Sequence, residues 1–186
     1  DPQPLGPDEL AEAIDGGAQV IDVRSPEGFA GAFVPGSLAI PLDMVPAYAG
    51  DLLDYEHGIA IVSKVRAEAQ TAALHLARIG YDRVVGYLEG GLHAWEVSGR
   101  DYGRIPAVHA RQLQQRIDGG EDFTLLDVRK QDEWEAGHLR GATHIFLGDL
   151  AGRVGEVPTD RPVVTFCGSG RRAIIGASVL RKHGIE

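Results

Sequence analysis

The sequence repeats itself, and this repeat constrains the fold more than any other feature. Residues 20–42 (VIDVRSPEGFAGAFVPGSLAIPL) align without a gap with residues 125–147 (LLDVRKQDEWEAGHLRGATHIFL), 105 positions further along the chain. Each copy is followed by a short apolar run, at 59–63 or 162–167, and then by a helical pattern that ends in glycine. Such self-similarity over a long period indicates two homologous domains.

Apolar runs of four to six residues alternate with segments of helical periodicity in both copies. This alternation is typical of parallel strands joined by helices, in a sheet that is covered on both faces. The predicted fold class is therefore α/β, with two tandem domains over 1–100 and 101–186, each a parallel sheet with helices on both faces. Strands are predicted at 20–23, 59–62, 83–86, 124–128, 143–145 and 163–166. The stretch 98–106 (SGRDYGRIP) and the proline-rich opening lack periodicity and are predicted to be linkers.

The charge of the chain argues against several classes of partner. Eighteen Lys and Arg residues against 27 Asp and Glu residues give a net charge of −9. This charge repels phosphate backbones and anionic lipid headgroups, so neither nucleic acid nor a membrane is expected as a partner. No apolar run approaches the roughly 18 residues of a membrane span, and the opening lacks the regions of a signal peptide. A cytoplasmic location is expected.

The chain contains one cysteine, Cys167, so no intramolecular disulfide can form. This residue lies between an apolar, β-branched run and a helical segment. Gly168 and Gly170 can adopt positive φ, which would let successive N–H groups turn towards the sulfur. Arg171 and Arg172 stand at the helix start, where cations oppose the helix dipole unless an anion compensates them. Together these features predict an exposed, reactive thiolate rather than a buried structural cysteine.

The sequence resembles the rhodanese family, whose domains show a DVR strand, a glutamate and an aromatic residue followed by GH, and a CxxGxR loop. In the second copy these motifs read DVR (127–129), EWEAGH (133–138) and CGSGRR (167–172). The resemblance implies a sulfurtransferase. Its loop cysteine takes sulfane sulfur from thiosulfate or a small persulfide, holds it as a persulfide, and passes it to a thiol or cyanide. It further implies that Cys167 carries the sulfur and that the substrate-binding loop consists of Gly168, Ser169, Gly170, Arg171 and Arg172. No metal or organic cofactor is expected.

The chain also resembles the tail of bacterial fusions that place a metallo-β-lactamase-like domain before two rhodanese domains, similar to persulfide dioxygenases. The segments that carry this resemblance are GYDRVVGYLEGGLHAW (80–95) and CGSGRR (167–172). The resemblance implies a fused or separate metallo-β-lactamase-like partner. We further expect a strand and a helix beyond the second copy, since the first copy continues with both after Gly80. No H-x-H-x-D-H motif and no closely spaced histidine pair occurs, so no metal site is expected.

Two other functions stay open at this point. The related phosphatase and arsenate-reductase branch uses a Cys-x5-Arg loop, whereas here a five-residue spacing from Cys167 falls on Ala173. The second alternative is a non-catalytic binding or regulatory module. The first copy favours this alternative for itself, because Ser63 stands at the position of the cysteine.

A repeated pair of charged residues is predicted to be structural. Asp127 and Arg129 recur as Asp22 and Arg24 in the copy that has no cysteine. A catalytic role would not require the pair there, so we predict a structural ion pair. Glu133 is predicted to be a further partner of Arg129.

Overall fold

The computed structural model describes residues 1–186 and divides into two compact units, Asp1–Arg104 and Ile105–Glu186. Both units are α/β, with parallel strands joined by helices, as the apolar runs predict. All six predicted strands are present, and their ends differ from the predicted ends by at most two residues. None of the helices has the length and apolar character needed to cross a bilayer.

The first unit contains a five-stranded parallel sheet in the order β1-β5-β4-β2-β3. Its strands are β1 (Pro4–Leu5), β2 (Gln19–Asp22), β3 (Leu38–Ala39), β4 (Ile59–Val62) and β5 (Val84–Leu88). Its helices are α1 (Pro7–Asp15), α2 (Pro26–Gly31), α3 (Val45–Leu52), α4 (Arg66–Arg78) and α5 (Gly91–Val97). All four residues of β4 are buried, because a central parallel strand is covered on both faces. One face packs against Leu10 of α1 and Trp95 of α5.

The proline-rich opening is not a linker, so that prediction is wrong. Pro4 and Leu5 form β1 and pair in parallel with Tyr87 and Leu88 of β5. Proline donates no backbone hydrogen bond, and an edge strand tolerates this because one side of it is unpaired. A two-residue strand is too short to show periodicity, which is why the sequence pattern does not reveal it.

The predicted linker 98–106 is mostly free of helix and strand, but its first part packs onto the first unit. Phe33 and Gly103 form an antiparallel bridge, with N–H···O distances of 3.0 and 2.9 Å. The indole N–H of Trp95 donates to the carbonyl of Asp101 at 2.8 Å. These contacts place residues up to Arg104 with the first unit.

The second unit contains a three-stranded parallel sheet in the order β7-β6-β8. Its strands are β6 (Thr124–Asp127), β7 (Thr143–His144) and β8 (Val163–Phe166), and its helices are α6 (Ala110–Asp118), α7 (Gln131–Ala136), α8 (Leu147–Arg153) and α9 (Arg171–Lys182). Asp127 at the end of β6 pairs in register with Phe166 on β8 and His144 on β7. The strand ends therefore bring the following loops to one edge of the sheet. The expected strand and helix beyond the second copy stay a prediction.

A glycine on β5 allows the close approach of β1. A Cβ atom added at Gly86 would lie 2.6 Å from the Gln3 carbonyl oxygen and 2.6 Å from Leu5 Cγ. We expect Gly86→Ala to lower the free energy of unfolding by about 1–3 kcal/mol, the usual cost of overpacking. Equilibrium urea unfolding measures this change.

The matched control is Gly50→Ala on α3, where an added Cβ meets nothing within 4 Å. Alanine is a better helix former than glycine, so this variant should be stabilised by up to about 1 kcal/mol. If Gly86→Ala were as stable as the wild type, β1 could move away from β5 without loss of stability, and its pairing would contribute little to the sheet.

Candidate active site

Cys167 follows β8 directly and lies four residues before the first residue of α9, Arg171. The residue is buried, with 7% of its surface exposed, so the expectation of an exposed thiol is wrong. The Sγ atom accepts hydrogen bonds from the backbone N–H groups of Gly170, at 3.1 Å, and Ala173, at 3.3 Å. Both donors belong to the amino-terminal end of α9, where the helix dipole is positive. The arrangement therefore favours a negative charge on the sulfur.

The turn between β8 and α9 depends on one glycine rather than two. Gly170 has φ of 82°, in the left-handed region that favours glycine, and it caps the start of α9. Gly168 does not adopt positive φ, so the expectation for that residue is wrong. A Cβ atom added at Gly168 would meet nothing within 4 Å. Position 168 therefore has room for a side chain.

Arg172 of the predicted loop forms a bidentate ion pair with Glu133 on α7. Its Nη1 and Nη2 donate to the two carboxylate oxygens at 2.5 and 2.8 Å. These bonds, together with the N–H of Lys130 at 3.2 Å, lower the pKa of Glu133 from 4.5 to about 2. Glu133 therefore bonds Arg172, and its predicted partnership with Arg129 is limited to a charge interaction. The sequence does not reveal this pair because the two residues lie 39 positions apart.

Asp127 and Arg129 form the repeated ion pair. The guanidinium Nε donates to Asp127 Oδ1 at 3.0 Å and Nη2 donates to Oδ2 at 2.6 Å. Nη2 also donates to the carbonyl of Gly137 at 2.9 Å, which links the end of β6 to the end of α7. The carboxylate is 1% exposed, so this pairing satisfies a charge that burial would otherwise penalise.

The first unit builds the same pair at the same place. Arg24 Nη2 donates to Asp22 Oδ2 at 2.6 Å and to the carbonyl of Ala32 at 2.7 Å. Burial raises the pKa of Asp22, and the hydrogen bonds from Arg24 oppose this shift. Because the pair has the same geometry in a unit without cysteine, the geometry favours a structural role.

An aromatic stack around Trp134 of α7 is not apparent from the sequence. The Trp134 ring stacks with two imidazoles, with centroid distances of 3.7 Å to His138 and 4.7 Å to His144. His144 Nε2 donates to the carbonyl of Arg129 at 2.9 Å, and His138 Nδ1 donates to that of Trp134 at 3.1 Å. The repeat does contain a signal, since Phe29 and Phe33 stack at the matching positions of the first unit. No group of three or more His, Cys, Asp or Glu side chains is placed to hold a metal ion.

The equivalent turn of the first unit has a different geometry. Helix α4 begins three residues after Ser63, so this turn is one residue shorter than the turn at Cys167. Val65 caps the helix in an extended conformation, with φ of −142°. The Ser63 hydroxyl donates to the carbonyl of Val65 at 3.1 Å. A β-branched residue replaces the left-handed glycine, so the N–H groups do not turn towards residue 63 as they do towards Cys167.

Comparison with known proteins agrees with this architecture. The profile of the family described as Rhodanese-like domain matches residues 6–98 and 109–186. The chain belongs to the rhodanese family. Both units are therefore rhodanese domains, and the turn at Cys167 lies within the second match.

Curated relatives extend the comparison. YrkF of Bacillus subtilis (strain 168), named as a candidate sulfur carrier protein, is 32% identical over 98 residues, which are 53% of this chain and 51% of YrkF. The thiosulfate sulfurtransferase GlpE of Pseudomonas fluorescens (strain SBW25) is 29% identical over 86 residues, which are 46% of this chain and 74% of GlpE. The chain thus spans about half the length of YrkF.

A solved structure shows the same fold. The rhodanese-like domain of the Anabaena sp. protein Alr3790, determined by solution NMR, matches with a TM-score of 0.50 and 23% identity. The match covers 59% of this chain and 87% of that domain.

The Glu133–Arg172 pair makes stability depend on pH. The pKa of Glu133 is lower in the folded protein, about 2 against 4.5, so the pair stabilises the fold fully above pH 4.5. This contribution is lost as the pH falls towards 2. We expect Glu133→Gln to cost about 0.5–1 kcal/mol at pH 7, because both side chains are partly solvated. The difference from wild type should shrink steadily below pH 4.5.

Urea unfolding at a series of pH values measures this difference. The control is Glu135→Gln on the same helix, whose carboxylate bonds only the Gln131 amide among the described contacts. It should change the stability by less than about 0.5 kcal/mol at every pH. A pH-independent cost of Glu133→Gln would contradict the assignment.

Proposed function

We propose that the chain is a sulfurtransferase in which Cys167 carries sulfane sulfur as a persulfide. The observation that carries this proposal is the pair of N–H groups, from Gly170 and Ala173, that point at the Sγ atom. They favour the thiolate, which is the nucleophilic form, and can equally bind the terminal sulfur of a persulfide anion. Membership of the rhodanese family and the names of the sulfurtransferase relatives support the proposal.

The proposed reaction has two half-reactions that balance in atoms and charge. The Cys167 thiolate attacks the sulfane sulfur of thiosulfate, the S–S bond of the donor breaks, and sulfite leaves with the electron pair. The enzyme then holds Cys–S–S⁻. An incoming cyanide or thiolate attacks the terminal sulfur, forming thiocyanate or a new persulfide, and the Cys167 thiolate is released. A small persulfide can replace thiosulfate, with its thiolate as the leaving group.

The geometry gives a specific reason to prefer this reaction over phosphoryl transfer. A phosphatase loop needs its arginine to bind the oxygens of the transferred group. Here both terminal nitrogens of Arg172 bond Glu133 instead. Sulfur transfer through a compact turn needs only the N–H groups around one sulfur atom.

The physiological partners belong to the proposal as well. We expect small sulfur donors and thiol acceptors, without a metal or organic cofactor. A metallo-β-lactamase-like partner, fused or separate, and a cytoplasmic location stay predictions from the sequence. None of the relatives named above is such a fusion by its name.

Replacing Cys167 by serine tests the carrier. Wild-type protein incubated with thiosulfate should gain the mass of one sulfur atom, and cyanide should remove it. Cys167→Ser should show no gain and no thiosulfate:cyanide activity, because a hydroxyl cannot hold sulfane sulfur.

The control is Ser63→Ala, the matching position of the first domain, which should load sulfur like the wild type. Intact-mass spectrometry reads the loading and circular dichroism confirms the fold. Turnover by Cys167→Ser would place the chemistry elsewhere, and a wild type that never loads would favour a binding module.

The first domain is proposed to transfer no sulfur and to act as a structural or docking unit. Its turn has an extended Val65 where the second domain has a left-handed glycine. Glu68 bonds the N–H of Lys64 at 2.9 Å, which places a carboxylate beside the turn. Both features oppose an anionic sulfur at position 63.

Introducing a cysteine there should therefore not restore activity. We expect Ser63→Cys in a Cys167→Ser background to load at least about a hundredfold more slowly than wild type, since one lost oxyanion donor alone costs about 10²–10³. Mass spectrometry after a thiosulfate time course measures the rate. Loading at position 63 within tenfold of the wild-type rate would show that the first turn supports persulfide chemistry.

A further inference from the structure

Two ion pairs lie next to the Cys167 turn. Asp127 pairs with Arg129, and Glu133 pairs with Arg172, each through a bidentate contact. The two pairs also interact, because Glu133 raises and Arg172 lowers the pKa of Arg129. The charges of these four side chains cancel, and Arg171, the first residue of α9, is a further cation that belongs to neither pair.

This balance matters because the proposed donors differ in charge. Thiosulfate is a dianion, so its encounter with a thiolate brings three negative charges together. A singly charged donor brings two. A cation beside the turn would compensate the dianion more than the monoanion, since Coulomb energy scales with the product of the charges. Arg129 and Arg172 do not provide that preference, because a carboxylate neutralises each of them.

Without its carboxylate partner, Arg172 would provide a preference for the dianionic donor. It is the residue before Ala173, whose N–H donates to Sγ. Its guanidinium is turned to α7 by Glu133, which is itself held by the N–H of Lys130. The neighbouring position 168 adds no charge, because it is glycine.

We infer that Glu133 sets the charge selectivity of the site: by neutralising Arg172, it favours singly charged sulfane-sulfur donors over doubly charged ones. Glu133 acts through the arginine and is a positioning residue, without contact to the donor. The inference rests on the proposed sulfurtransferase function.

Two donors of similar shape test this inference. Methanethiosulfonate carries one negative charge and differs from thiosulfate by a methyl group in place of one oxygen. In a two-step reaction, kcat/KM for the donor reports the loading half-reaction alone. The ratio of kcat/KM for thiosulfate to that for methanethiosulfonate, with cyanide as acceptor, cancels losses that affect both donors equally.

We expect Glu133→Gln to raise this ratio about fivefold at low salt, because an unneutralised guanidinium attracts the dianion more strongly. Added salt should reduce the gain. Glu133→Asp keeps the charge and should keep the wild-type ratio. An unchanged ratio in Glu133→Gln, or equal losses with both donors, would overturn the inference and leave Glu133 with a structural role only.

A second pair of variants guards against misfolding of Glu133→Gln. An added side chain at Gly168 meets nothing within 4 Å of its Cβ, and the residue is outside the positive-φ region. Gly168→Arg should raise the ratio by a similar factor, whereas its neutral match, Gly168→Gln, should not. Equal ratios in these two variants would also overturn the inference.

The outcome separates this inference from the proposed function. If wild type gains no sulfur from either donor, the proposed function fails. If it loads from both donors and the ratios do not respond to charge, the sulfurtransferase proposal stands and only the selectivity inference fails.

Discussion

A buried carboxylate at the end of a strand organises each rhodanese domain. Asp127 is 1% exposed and Asp22 is fully buried, so each charge needs a partner that stays in place. The arginine two residues later supplies it, and the same guanidinium reaches a carbonyl eight residues on, at Gly137 or Ala32. One buried charge thereby determines the path of the chain from the sheet into the next helix.

In the second domain, the path of the chain from β6 into α7 brings Glu133 to the turn that contains Cys167. The link between Arg129 and Gly137 holds α7 against the end of β6, and α7 carries Glu133. Glu133 then bonds Arg172 at the start of α9. The turn around Cys167 is therefore held at both ends, by the parallel pairing of β8 with β6 and by an ion pair to a different helix.

The two domains share their scaffold and differ in the turn that contains Ser63 or Cys167. Both keep the parallel strands, the Asp–Arg pair and an aromatic stack that starts from a residue of the following helix, Phe29 or Trp134. They differ in the turn, where Gly170 has φ of 82° and Val65 has φ of −142°. The scaffold therefore forms without a reactive turn. The proposed reactivity depends on a few residues, whose backbone conformation directs N–H groups towards the Cys167 sulfur in the second domain.

The sequence by itself determined the α/β class, the twofold repeat and the strand that leads to Cys167, because these depend on local periodicity and on patterns repeated along the chain. It could not reveal β1, which is stable only because Tyr87 and Leu88 pair with it. It assigned Glu133 to the nearer arginine, whereas the parallel sheet places the start of α9 beside α7 and so selects Arg172. The sequence also could not show that Gly168 avoids positive φ. In the folded chain two N–H groups reach the sulfur although only Gly170 lies in the left-handed region. Contacts between residues far apart in sequence arise from strand order and register, and these are properties of the folded chain.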